Sequence, residues 1–88
     1  MVREKATVRS MTDLDLKPVG ILCDAAVQFK SKILLQYGNL TVNAKSVLGM
    51  LGSGIHNGDE VELVCEGEDE EQALKTMLLI IEEGLGDY

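Results

Sequence analysis

Apolar positions recur along this 88-residue chain with two different periods. Over residues 2–9, Val2, Ala6 and Val8 fall on one side of a period of two, with Arg3, Lys5, Thr7 and Arg9 opposite. Such alternation predicts a half-buried strand, and Glu4 is the residue that breaks it. Residues 11–17 read as a polar connection. Pro18 suits the first turn of a helix, where a missing N–H costs nothing. Val19, Leu22, Cys23 and Ala26 then recur at i, i+3, i+4 and i+7, with Phe29 on the flank, which predicts an amphipathic helix over 18–29. Ile33, Leu35 and Tyr37 alternate with Lys32, Leu34 and Gln36 in a second strand. Gly38-Asn39 is a two-residue hairpin turn in which both residues tolerate positive φ, and residues 40–43 form the returning strand.

Ser46 opens a short helix over 47–51 that Gly52 stops. A loop follows over 53–59, with Asn57-Gly58 as its turn signal and Ser53-Gly54 reading only as flexible. Residues 60–66 are a strand with Val61, Leu63 and Cys65 on one face. Asp69 with Gln72 three residues on has the form of a helix N-cap pair, and Glu70 and Glu71 sit where the helix dipole favours acids. Ala73, Leu74, Met77, Leu78 and Ile81 make the buried stripe of a last helix, ending at Gly84. The order β-α-β-β-α-β-α predicts an α+β fold, an antiparallel sheet with three helices packed on one face.

Composition narrows the class. The length fits one domain over 1–88, and 45% apolar with 26% charged residues is globular. Net charge is −7, unevenly spread. Residues 1–45 hold seven basic and four acidic side chains, whereas 46–88 hold eleven acidic ones and Lys75 as their single base. An acidic chain repels polyanions, so direct binding to nucleic acid or to an anionic membrane surface is not expected. The longest apolar run, 77–81, is far short of a membrane span, and residues 1–5 carry no apolar signal region. Two cysteines without a C-x-x-C pair and a single histidine make no metal set, so the expectation is a reduced cytoplasmic protein without metal or cofactor. Cys23 and Cys65 fall on core faces and read as unreactive, Tyr37 reads as a strand residue, and His56 reads as a solvated loop residue without a partner.

Two stretches carry a resemblance. Asp13-Leu14-Asp15-Leu16-Lys17-Pro18-Val19 occupies the place of a Gly-Leu/Ile-His-Ala-Arg-Pro-Ala signature, and Lys45-Ser46-Val47-Leu48-Gly49-Met50-Leu51 is close to Lys-Ser-Ile-Met-Gly-Val/Leu-Met. Val42-Asn43-Ala44 also fits, and the match runs the full length. The chain thus resembles the HPr family, the histidine-containing phosphocarriers of the sugar phosphotransferase system. The resemblance implies an open-faced β-sandwich of four antiparallel strands and three helices. It puts Asp15 where the family has the histidine that takes a phosphoryl group from Enzyme I and passes it to a permease component. Lys17 stands for an arginine that clamps the phosphoryl oxygens, keeping the charge but not the planar fork. Asp15 and Asp13 repel an incoming phosphoryl group, so phosphocarrier activity is expected to be lost. A carboxylate can itself accept a phosphoryl group, which makes transfer through Asp15 one alternative and a binding paralogue that carries no phosphate another.

The second stretch is nearly intact. The resemblance makes Ser46 the substrate of an ATP-dependent HPr kinase/phosphorylase. It makes Lys17, Val47, Leu48 and Leu51 a contact surface for the transcription regulator CcpA, and for Enzyme I. Keeping Lys45-Ser46 while losing the histidine is similar to the family's catabolite-repression branch, which is regulatory and not enzymatic.

Overall fold

The computed structural model describes residues 1–9 and 16–83. Its elements are β1 (Val2–Thr7), α1 (Leu16–Ala26), β2 (Lys32–Tyr37), β3 (Leu40–Asn43), α2 (Val47–Leu51), β4 (Glu60–Glu66) and α3 (Glu70–Glu82). The four strands form one antiparallel sheet in the order β1-β4-β2-β3. The two strands at the middle of the sheet carry most of its apolar residues. β4 buries Val61, Leu63, Val64 and Cys65, and β2 buries Ile33 and Leu35.

Register explains which face is covered. Ala6 pairs with Val61, Ile33 with Cys65, and Leu35 with both Leu63 and Val42, so these side chains lie in rows on one face. Against them pack Val19, Leu22 and Ala26 of α1, Met50 of α2, and Ala73, Met77 and Ile81 of α3. Removing each large apolar side chain of this set from water contributes about 1.5–3 kcal/mol. Glu4 of β1, an edge strand, pairs with Leu63 of β4 and remains exposed. Among the described residues no helix is long and apolar enough to cross a membrane.

Two local expectations need correction, and the hairpin expectation is sharpened. α1 starts at Leu16, not at Pro18, and ends at Ala26. Pro18 still lies in the first turn, where no intrahelical donor is required. Beyond Ala26 the chain tightens, with Gln28 N donating to Ala25 O and Phe29 N to Ala26 O, each at 3.2 Å. That three-residue spacing is the tighter helical turn common at helix ends. In the hairpin only Gly38 takes a positive φ, of 61°, and Asn39 does not. A left-handed first position suits glycine and a turn of type II′.

The start of α3 is the second correction. The Asp69 side chain makes no cap bond to its own helix. Its carboxylate instead accepts from Lys30 N and Ser31 N, each at 2.9 Å, and from Ser31 Oγ. It thereby pins the turn after α1 to the start of α3. Glu70 takes over the local work, with Oε1 accepting from Gly67 N at 3.1 Å. Gly67 has a φ of 152°, and a Cβ there would come within 2.7 Å of Ser31 Cα, so the clasp closes only over a glycine.

Candidate phosphorylation and partner-binding site

Ser46 sits in extended backbone, φ −109° and ψ 110°, immediately before α2. Its Oγ accepts from Gly49 N at 3.1 Å, the N-cap geometry expected from its position. The approach to it is braced from several sides. Ser46 N donates to Asn43 O at 2.9 Å, and Lys45 N donates to Asn43 Oδ1 at 2.9 Å. Lys45 Nζ reaches Phe29 O at 2.7 Å, beyond the end of α1, and the Cys23 thiol donates to Lys45 O at 3.3 Å. A five-residue helix is too short to persist by itself. α2 persists because Met50 is fully buried and the preceding chain is held.

With Met50 turned inward, the remaining apolar residues of α2 face outward to different degrees. Leu48 is 83% exposed and Leu51 39% exposed, while Val47 is half-buried. An open groove runs between β3 and α2, lined by residues that include Leu40, Val42, Ser46, Leu48 and Gly49. Gly49, part of the Lys45–Leu51 motif, takes a role at this site that the motif alone does not assign. A Cβ on it would stand 3.2 Å from Ser46 Oγ, so this glycine both donates to that oxygen and keeps its surroundings open. The signal was its place three residues after Ser46, the position whose N–H a cap oxygen meets.

Lys17 is exposed in the first turn of α1, beside exposed Leu16, and α1 packs against α2. Asp13 and Asp15 lie outside the described residues. Among the described residues no cluster of His, Cys, Asp and Glu could hold a metal ion. Cys65 is fully buried, and burial above all, then the charges of Glu70 and Asp69, pushes its thiol up to about 11, which leaves it unreactive. Cys23 is half-buried.

The loop over 53–59 departs from its sequence reading. Ser53 is buried rather than merely flexible, with Oγ donating to Met50 O at 2.7 Å and accepting from Ile55 N at 3.3 Å. His56 has a partner after all, since its Nδ1 stands 3.6 Å from Asp59 Oδ2. That oxygen also accepts from His56 N at 2.8 Å and from Tyr37 OH at 2.7 Å. The two donors hold the Asp59 carboxyl below its ordinary range, and the same bond raises the Tyr37 phenol.

The fold and the capped serine define a family. Residues 2–83 match the family model described as the PTS HPr component phosphorylation site, and the chain belongs to the HPr family. It is 35% identical over 83 residues to the HPr-like protein Crh of Bacillus subtilis (strain 168), spanning 94% of this chain and 98% of that relative. It is 36% identical over 77 residues to the phosphocarrier protein HPr of Treponema pallidum (strain Nichols), spanning 88% of each. Among solved structures it is similar to HPr-C-His from Thermoanaerobacter tengcongensis, with a TM-score of 0.87 at 33% identity over 92% of this chain and 91% of that one. The four-stranded antiparallel sheet with three helices is the architecture expected from the pattern.

Proposed function

We propose that the chain is an HPr-like regulatory protein of carbon catabolite control, a single cytoplasmic domain switched by phosphorylation at Ser46. It is the substrate of an ATP-dependent HPr kinase/phosphorylase and not itself an enzyme. The observation that carries this reading is the juxtaposition at α2. The Ser46 hydroxyl caps the helix at its entrance, and Leu48 stands exposed two residues later. A phosphate there adds a charge of about −1.5 to −2 and meets helix N–H donors, so the fold accommodates it. A CcpA-like regulator then reads a new dianion beside an apolar contact formed by Val47, Leu48 and Leu51, with Lys17 as a further contact. Charge complementarity distinguishes the phosphorylated chain from the plain one. The identity to a relative named HPr-like protein Crh supports a regulatory role, and Asp15 in place of a histidine supports the loss of carrier activity.

The test is a titration of a CcpA-like regulator with the phosphorylated and plain chains. Phosphorylation tightens binding by about tenfold or more, equivalent to about 1.4 kcal/mol. Leu48→Ala weakens the phosphorylated complex while leaving stability within about 0.5 kcal/mol, because the side chain is exposed. Equal affinity of the two forms contradicts the proposal.

A further inference from the structure

We propose that the free edge of β3 is a docking site for an extended segment of a partner protein, which joins the sheet as an added antiparallel strand. β3 is an edge strand, with β2 on its inner side. Ala44 N donates to Ile33 O at 2.9 Å, and Val42 and Leu40 stand opposite Leu35 and Tyr37. Hydrogen-bonded pairs alternate along an antiparallel ladder, so the backbone of Leu40, Val42 and Ala44 faces β2 and that of Thr41 and Asn43 faces outward. Asn43 O, which accepts from Ser46 N at 2.9 Å, agrees with that direction. No described residue takes Thr41 N, Thr41 O or Asn43 N. The edge is also unguarded. The opposite edge strand, β1, carries Arg3, Glu4 and Lys5, whereas Leu40-Thr41-Val42-Asn43 carries no charge. Charged side chains are a usual means by which an edge refuses a further strand.

The groove between β3 and α2 selects the side chains of that segment. Leu40, Val42 and Leu48 make its apolar walls, Gly49 and Gly52 leave it open, and none of its lining residues is charged. Backbone bonds to the free groups of β3 hold the segment, and the groove reads every second side chain. One residue of the segment exchanges two backbone bonds with Thr41. The residue before it stands opposite Val42 and points to the same side, so it is apolar. Two positions earlier still, a side chain falls opposite Ala44, beside Ser46. Phosphate on Ser46 would put a charge of about −1.5 to −2 at that end of the groove, and a basic side chain there meets it. The basic residue rests on the proposed phosphorylation of Ser46; the strand pairing does not. The occupant is therefore an extended segment with a basic residue two positions before an apolar one. The net charge of −7 attracts such a basic segment at long range.

The test is an amide NMR titration of the full chain with the peptide acetyl-Arg-Thr-Val-Thr-Val-Thr-amide. The chain is used plain and with a phosphate on Ser46 introduced by chemical ligation, so the result does not depend on any kinase. The proposal expects slowed hydrogen exchange at Thr41 and Asn43 N–H in both forms, and binding about tenfold tighter to the phosphorylated one. N-methylation of the Thr between the two Val residues removes the donor to Thr41 O and weakens binding by about tenfold or more. N-methylation of the Val before it, whose N–H faces away from β3, weakens binding far less. Thr41→Pro removes an outward donor while leaving the ladder to β2, so the chain folds by circular dichroism and loses the peptide. No binding, binding without protection of those two amides, or equal loss from the two methylations overturns strand addition. Equal affinity of the two forms overturns the basic position. Protection of the same amides that rises with protein concentration in the absence of peptide assigns the edge to a second copy and overturns the partner segment. Pairing seen in the plain chain stands whether or not a kinase modifies Ser46, so this reading and that of the switch fail separately.

Discussion

Asp69 and Ser31 meet across 38 residues of sequence, and that contact shows what a single side chain can hide. In the sequence Asp69 has every mark of an N-cap, because the residue types that cap helices also bind loose backbone N–H groups elsewhere. The competing partners, Lys30 N and Ser31 N, become visible only once β2 and β4 pair and bring the two turns together. The hydrogen bond from Ser31, then those from the backbone, hold the Asp69 carboxyl at about 2, against an ordinary value of 3.8. A depressed carboxyl stabilises the fold above its unfolded value, and that contribution is lost as pH falls through the folded value. Chemical denaturation of the native chain is therefore expected to lose stability between pH 4 and 2, and Asp69→Asn to be weaker at pH 7 and flatter across that window. A second residue-scale prediction concerns Gly49. Gly49→Ala gains up to about 1 kcal/mol of helix propensity. The added carbon crowds Ser46 Oγ at 3.2 Å, so the variant stays folded by thermal denaturation but is phosphorylated more slowly than the native chain. Equal rates would show that access to Ser46 does not depend on this glycine.

At the scale of elements, periodicity carried most of the information. The helix over Val47–Leu51 and its cap at Ser46 are legible because cap, apolar spacing and terminal Gly52 all agree. The strand Glu60–Glu66 is legible because it alternates cleanly where it must be covered on one face. α1 was less so, since the residue that marks a first turn, Pro18, fits several positions within it and so does not place the helix start. The same ambiguity applies to the Gly38-Asn39 turn, where either residue tolerates a positive φ and the fold uses it at Gly38 alone. The cap at α2 has a measurable weight. Ser46→Ala leaves Gly49 N without its partner, which costs about 1 kcal/mol. For a domain of this size that lowers Tm by about 4–8 °C, readable by calorimetry. An unchanged Tm would mean that water replaces the hydroxyl at no cost.

At the scale of the whole molecule, the site was legible in part. Ser46, Leu48 and Leu51 fall together because five residues of helix keep them together. Lys17 comes from a different helix, and only the packing of α1 on α2 associates the two elements. The dyad of His56 and Asp59 escaped the sequence because i and i+3 in a loop imply no contact, and Tyr37, which steadies it, comes from another strand. The fold mixes the charges that the sequence separates, because β1 with Arg3 and Lys5 pairs with acidic β4, and Arg3 Nη1 meets Glu62 Oε1 at 3.1 Å. The net charge of −7 still disfavours a polyanion. The central claim is that Ser46 is the switch, and the most direct measurement is a phosphosite map of the full chain after incubation with HPr kinase and ATP. The account predicts one acid-stable phosphate, on Ser46 and lost in Ser46→Ala. No acid-stable phosphate, or one on Thr41 or Ser53 instead, would contradict it.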